Sequence, residues 1–405
     1  RPRYLPDDEV GRSGLERLYE DQLAGFPGRK RIDRDARGRH LSSPEVLEAA
    51  RPGEDLVLAL DASWQRTAMD LLHGKKGSII VMDVESGDVH VLASRPTLDP
   101  LDPGRQMVDG EPVGYLGRAW RGLYPPGSTI KVAAAALALE QGIPPDHQFN
   151  CPGHFVLPGW NRRFHCAHRS GHGPTDLHDS IAWSCNVYYY ELAQQTPFDA
   201  YQQMLQRTGF GAPTGIDLPG ESSGQVARTE DPGPGEKTNL YIGQGTMLAT
   251  PLQIARLYAA IANGGTLPVP RLVIGTRQQD EFLPSPPPRG QSTGLSGQTL
   301  NTIRVALADA VQRWDGTAYK ADIPPAWQVA GKTGTVENGK GSLDAWFAGF
   351  FPASRPRYSF VVQIEETEGH GGDVAAPIAR ELIRHIKGLD QESLGEESVV
   401  AVVPD

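Results

Sequence analysis

The chain has no long apolar run. Among its 405 residues, the stretch VAAAALALEQG is broken by Glu140, far short of the roughly 20 residues that cross a bilayer. No signal peptide opens it, and it starts at Arg1 rather than Met. It reads as a trimmed chain whose N-terminal membrane anchor lies outside it. An excess of positive charge is also missing. With 39 Lys and Arg against 49 Asp and Glu, the formal net charge is −10. A phosphate backbone wants a basic face, so nucleic acid is excluded as a partner. The run GRKRIDRDARGR around Arg29 to Arg39 mixes signs and reads as a solvated face. Cysteine is scarce, and its count of three is odd. A disulfide scheme therefore leaves one thiol over. No internal repeat is present.

What is present describes a globular protein. Hydrophobic residues make up 39% and charged residues 22%. The length suits one large domain with a small attachment. Residues 1–53 are polar, Arg-rich and interrupted by Gly and Pro; 54–390 form the main domain; 391–405 are a tail. In the first part, SGLERLYEDQLAG predicts one short amphipathic helix with Leu15, Leu18, Tyr19 and Leu23 on a face. EDLVLALDASWQRTAMDLLHG predicts a strand then a helix. GSIIVMDVESGDVHVLASRP predicts a hairpin turning at Ser86-Gly87. Residues 97–124 and 143–179 read as loops.

YPPGSTIKVAAAALALEQGI predicts a helix closed by Gly142. Helical patterns resume at 179–209, 251–264 and 297–315, and DEFLPSPPPRGQSTG reads as a Pro-rich surface loop. WQVAGKTGTVENG, SLDAWFAGFFPAS and RYSFVVQIEET predict three strands, and AAPIARELIRHIKG a closing helix. Strands early and late with helices between predict an α+β fold. Its antiparallel sheet, flanked by helices, takes its edges from distant parts of the chain.

Three short motifs carry chemistry. In PPGSTIKV, Ser128 and Lys131 stand three residues apart at a helix start, on one face. A serine hydroxyl needs a base. A lysine serves only if burial and the positive helix end lower its pKa. In SCN, Ser184 can relay a proton and Asn186 can donate to a substrate carbonyl. In GKTGTVE, Lys332 offers positive charge to a carboxylate, and Gly334 leaves room for a substrate backbone on the strand edge. Alternation puts Lys332 and Gly334 on one face, and Thr333 and Thr335 on the other. Each motif alone is common. Together, in this order, Ser-x-x-Lys, Ser-x-Asn and Lys-Thr-Gly are the signature of penicillin-binding proteins and serine β-lactamases.

Longer stretches narrow this. VMDVESGDVHVLASRP, GRAWRGLYPPGSTIKV, TGFGAPTGIDLPGE, YIGQGTMLATPLQIARLYAAIANGG and VAGKTGTVE resemble class B penicillin-binding proteins, and within them the penicillin-binding protein 2 subgroup of elongation-specific D,D-transpeptidases. The resemblance covers roughly 55–390, and more faintly GRSGLERLYEDQLAG. It implies that 1–53 are a remnant of the linker and pedestal. Asn186 departs from members that carry Asp there.

By resemblance, Ser128 attacks the penultimate D-Ala carbonyl of a peptidoglycan stem peptide, with Lys131 as base, Ser184 in the relay and Asn186 on the substrate amide. Lys332, Thr333 and Thr335 hold the terminal carboxylate beside Gly334, and the amides of Ser128 and Thr335 form the oxyanion hole. Catalysis needs no cofactor. The implied partners are β-lactams and a SEDS-family glycosyltransferase of RodA type in the elongation machinery. The implied place is the periplasmic face of the cytoplasmic membrane. A serine β-lactamase is the runner-up, although no E-x-x-L-N string stands between Asn186 and Lys332. A β-lactam sensor or scaffold without turnover is another.

The cysteines raise a further question, because Cys185 sits inside SCN. With Cys151, Cys166 and His172 it completes a Cys₃His set suited to structural zinc, and some members of the resembled subgroup carry zinc in this region. His154, His165 and His168 are competing ligands. The alternative is a Cys151–Cys166 disulfide with Cys185 free. Zinc would tie the 143–179 loop to SCN from behind.

Overall fold

The computed structural model describes residues 4, 10–97, 107–108, 111–112, 117–229, 231–278, 281–338 and 341–396. Five antiparallel strands form the central sheet: β1 (Lys76–Asp83), β2 (Val89–Arg95), β3 (Ala330–Glu337), β4 (Leu343–Phe351) and β5 (Tyr358–Thr367). Their order in space is β3-β4-β5-β1-β2. The last strands of the chain thus join the first, as the distribution of strands in the sequence implied. β1 and β2 form the expected hairpin. The Asp83 carboxylate accepts from the amides of Glu85 and Ser86 in its turn, and Gly87 there has φ +77.

The sheet is buried on both faces. Ile80 and Met82 enter one apolar cluster, while Ile79 and Val81 enter the other. This explains why β1 reads as a continuous apolar run rather than an alternating one. The main helices are α1 (Ala62–Leu71), α2 (Lys131–Glu140), α3 (Leu177–Ala182), α4 (Asn186–Gln195), α5 (Pro251–Ala262), α6 (Gly297–Gln312) and α7 (Ala375–Glu396). α1 and α7 cover the face of Ile79 and Val81. α2 and α5 lie in the larger cluster on the other face. All twelve residues of α5 are buried. Its start is fixed by a reciprocal pair: Thr250 Oγ1 accepts from Gln253 N, and Gln253 Oε1 accepts from Thr250 N. Such caps contribute about 1 kcal/mol. α2 is buried from Lys131 to Ala138, and its run of alanines permits close packing on every side.

Several sequence expectations change. SGLERLYEDQLAG is two short helices, Gly14–Leu18 and Glu20–Leu23, broken at Tyr19. Tyr19 turns aside to donate from its hydroxyl to Asp217 at 3.3 Å. Residues 143–179 contain two small ladders: Phe149–Cys151 with Gly173–Thr175, and His154–Val156 with Arg163–His165. Three-residue strands are too short to show a period. The Pro-rich segment supplies Glu281–Pro284, an edge strand paired with Val273–Gln278. Proline's missing N–H is tolerated at such an edge. A helix at Pro234–Leu240 was not expected, and α7 runs on to Glu396. Of the segment 97–124, read as a loop, residues 98–106, 109–110 and 113–116 lie outside the described residues, and Arg118–Arg121 form a short helix. No helix among the described residues is long and apolar enough to cross a membrane.

Candidate active site

The three motifs meet on one cleft of about 1210 Å³, lined by Ser128, Ser184, Asn186, Thr333, Gly334 and Thr335 among others. Ser128 lies in a tight 3₁₀ turn, Gly127–Ile130, that leads directly into α2. Gly127 adopts φ +55, and its amide donates to Gly243 O at 2.9 Å. A Cβ on Gly243 would stand 2.2 Å from Gly127 O, and one on Gly127 would stand 2.7 Å from Val336 Cγ2. Only glycine at both positions lets the serine turn press against β3.

Lys131 is fully buried. Its Nζ donates to Ser184 O (2.8 Å), Ser184 Oγ (3.2 Å) and Asn186 Oδ1 (2.6 Å). Burial lowers its pKa to about 8, against the opposing pull of the nearby cysteine sulfurs. In the neutral amine one of the three protons is gone. The lone pair this leaves on Nζ can accept a proton, which is what a base requires. Ser184 holds φ 58, a strained backbone for a residue with a Cβ. Asn186 also donates from Nδ2 to His165 O at 3.2 Å.

The third motif lies on β3, at the edge of the sheet. Thr333, Gly334 and Thr335 all line the cleft, which departs from strict alternation. Lys332 lies behind this wall, fully buried, with Nζ donating to Thr333 O at 3.1 Å. Burial pushes its pKa well below the ordinary lysine value, and the charge of Lys131 adds to this. Any effect of Lys332 on a bound carboxylate is therefore exerted through its field. The Gly371 amide donates to Thr335 Oγ1 at 3.1 Å. A Cβ on Gly371 would stand 2.4 Å from Gly334 O, so the EGHGG loop closes on β3 only because it is glycine there.

The cysteine set also converges. One donor atom from each of Cys151, Cys166, His172 and Cys185 lies within 4.8 Å of every other. His172 Nδ1 stands 3.5 Å from Cys151 Sγ and 3.6 Å from Cys166 Sγ. All three cysteines are buried free thiols. Contacts with Cys185 pull the Cys166 and Cys151 thiols down, while Cys185 itself is pushed up. Sulfurs this close cannot all ionise unless a cation joins them. The donor chemistry and the convergence fit a closed tetrahedral site for a zinc-like ion. His154, His165 and His168 are not part of the set.

The sequence reading missed how the second motif is held. The Trp183 indole stacks on the His172 ring (5.4 Å between centroids, 7° between planes). Its Nε1 donates to Asp315 Oδ2 at 2.8 Å. The pair of Thr317 and Thr333 was missed as well, because no local signal marks a lone threonine.

A buried antiparallel sheet between helices, with Ser-x-x-Lys, Ser-x-Asn and Lys-Thr-Gly on one cleft, defines the class shared by penicillin-binding proteins and serine β-lactamases. Within that class, the chain belongs to the penicillin-binding protein transpeptidase domain family, whose model matches residues 77–384. The penicillin-binding protein dimerisation domain matches residues 1–58. A peptidoglycan D,D-transpeptidase MrdA of Acinetobacter baumannii is 33% identical over 92% of this chain, and the chain spans 60% of that relative's length. Penicillin-binding protein 2 of Pseudomonas aeruginosa, solved with WCK 5153, superposes with a TM-score of 0.78. It is 30% identical, over 92% of this chain and 83% of that one. Penicillin-binding protein 2 of Helicobacter pylori, solved in complex with MreC, gives 0.83 at 28% identity, over 94% and 72% of the two chains.

Proposed function

We propose that this chain is the catalytic part of a peptidoglycan D,D-transpeptidase that crosslinks stem peptides through a Ser128 acyl-enzyme during cell elongation. The observation that carries this reading is the buried Lys131. It joins Ser184 and Asn186 by three hydrogen bonds at the foot of a cleft that Ser128 lines.

In the proposed cycle Lys131, neutral, takes the Ser128 proton as Oγ attacks the penultimate D-Ala carbonyl. The oxyanion meets the amides of Ser128 and Thr335, which is where fixed donors contribute most. The C–N bond breaks, and the departing D-Ala amine receives its proton through Ser184. An amine from a second stem peptide then attacks the ester, releases Ser128 and forms the crosslink. Asn186 orients the substrate amide, and the Thr335 hydroxyl together with the Thr333–Thr317 hydroxyl pair holds the terminal carboxylate, with Lys332 buried behind them. β-Lactams would mimic the D-Ala-D-Ala end and stop the cycle at the ester.

Cys151, Cys166, His172 and Cys185 would hold a structural zinc, whose chemistry is to crosslink the chain. Elemental analysis tests this: one zinc per chain is expected, and no zinc with a mass two hydrogens low would replace it by a disulfide. The proposed setting is the periplasmic face of the cytoplasmic membrane, beside a SEDS-family glycosyltransferase of RodA type.

The test is intact mass after adding a penicillin, followed over hours, with Ser128→Ala as control. A stable one-to-one adduct absent from the variant is expected. An adduct lost within seconds with drug consumed would mean a β-lactamase. No adduct would overturn the reading.

A further inference from the structure

The turn that follows α6 bridges the two walls of the cleft. From Arg313 to Thr317 it contacts both the second and the third motif. On the side of the second motif, the Thr317 amide donates to Ala182 O at 3.2 Å, two residues before Ser184. Asp315 accepts from Trp183 Nε1 at 2.8 Å. Arg313 grips Asp315 through Nε (3.0 Å) and Nη2 (2.8 Å), and donates from Nη1 to Asp179 at 2.7 Å. Asp179 lies on α3 and Trp183 just past its end. On the side of the third motif, Thr333 Oγ1 donates to Thr317 Oγ1 at 2.8 Å. A Cβ on Gly372 would stand 2.3 Å from Thr317 O, so the loop after β5 also closes on this turn.

We propose that Thr317 is a positioning residue: it fixes the Thr333 hydroxyl and holds the Ser184 wall at a set distance from the Lys-Thr-Gly strand. The proposal rests on the acyl-transfer reading of the cleft. The argument is one of proton count. Two hydroxyls in contact place one proton between them and leave one for the cleft. Because Thr333 gives its proton to Thr317, the proton left for the cleft is that of Thr317, which lines it beside Thr333. Without the Thr317 hydroxyl, its proton is lost to the cleft and the Thr333 hydroxyl is left with no partner to fix its rotation, so the carboxylate loses the oriented pair. Thr317 also spans the walls at the point where Ser184 needs restraint, because a strained φ persists only when its surroundings over-determine it.

The test uses the full chain and a penicillin, whose carboxylate stands in for that of the substrate. Acylation is followed by stopped flow, so that the affinity constant separates from the acylation step. Thr317→Val keeps the shape and removes the hydroxyl. It is expected to weaken affinity about tenfold, the loss of one oriented hydrogen bond to a charge, with the melting temperature held. Thr317→Ser should restore most of the affinity. Thr333→Val should show a similar loss, and the double variant less than the product of the two.

Wild-type affinity in Thr317→Val, or losses that multiply in the double variant, would overturn the proposal. So would a loss that serine does not rescue. If valine prevents folding, Thr317→Ala is read against the same expectations. Failure of the transpeptidase reading looks different, since the wild-type chain itself would then form no adduct.

Discussion

On one side of the cleft, Ser128, Lys131 and β3 grow out of the hydrophobic core. α2 is buried from Lys131 to Ala138, and β3 is zipped to β4 over its full length. On the other side, Ser184 and Asn186 follow a region of three-residue strands. Besides the burial of their helices in the same core, they are fastened by sulfur and polar contacts: Cys185 in the Cys₃His set, Trp183 on Asp315, and Thr317 on Ala182. The first wall is held by burial, which is non-directional and tolerant of small changes. The second shares that burial through Ile181, Val187, Tyr188 and Tyr189, and depends in addition on a few directional bonds, each of which matters by itself. The comparison teaches that one site can have a rigid half and a conditional half, and variants should tell the halves apart.

The largest effect belongs to the core-built wall. Ser128→Ala should abolish the penicillin adduct in intact mass while leaving the melting temperature unchanged. Next, Lys131→Met should lower acylation by about 10²–10⁴-fold, the range of a lost general base. Its melting temperature should fall by several degrees, because Ser184 O and Asn186 Oδ1 lose their buried donor. An unchanged melting temperature would mean that these bonds do not hold the second motif, and the contrast between the walls would sharpen.

The conditional wall is tested through its sulfur set. Cys185→Ser, or a strong chelator on the wild-type chain, should lower the melting temperature by several degrees and slow acylation together. A shift of ~1 Å in a positioned group costs about a hundredfold. Calorimetry alongside stopped-flow acylation checks this, and a stability loss with unchanged acylation would separate the sulfur set from the second motif.

The smallest effect is in pH. Lys131 must be neutral to accept the Ser128 proton, and burial brings its pKa down to about 8. Acylation should therefore rise with pH through about 8, and fall about tenfold for each unit below that value. A flat profile from pH 6 to 9 would mean that Lys131 is already neutral, and would sharpen the picture of a fully apolar core wall.

Legibility followed the same division. α2, α5 and the five sheet strands were readable, because a buried element imposes a period or an apolar run on its residues. The edges of motifs were readable from glycine and proline, as at Pro126 and Gly142. The ladders within 149–175 were not, since three residues carry no period. The break at Tyr19 was hidden too, since the apolar spacing of Leu15, Leu18, Tyr19 and Leu23 runs straight through it.

By itself the sequence determined the α+β class, the three motifs with their order, and the Cys₃His inventory, since each depends on residue type and local spacing. Only the tertiary structure decided that Lys332 lies behind the wall, and that Thr333, Gly334 and Thr335 share the cleft. It also decided that Thr317 and Trp183 join motifs more than a hundred residues apart. The physical reason is that burial direction and hydrogen-bond partnership are set by what the fold brings alongside, and a local pattern carries no record of a remote neighbour.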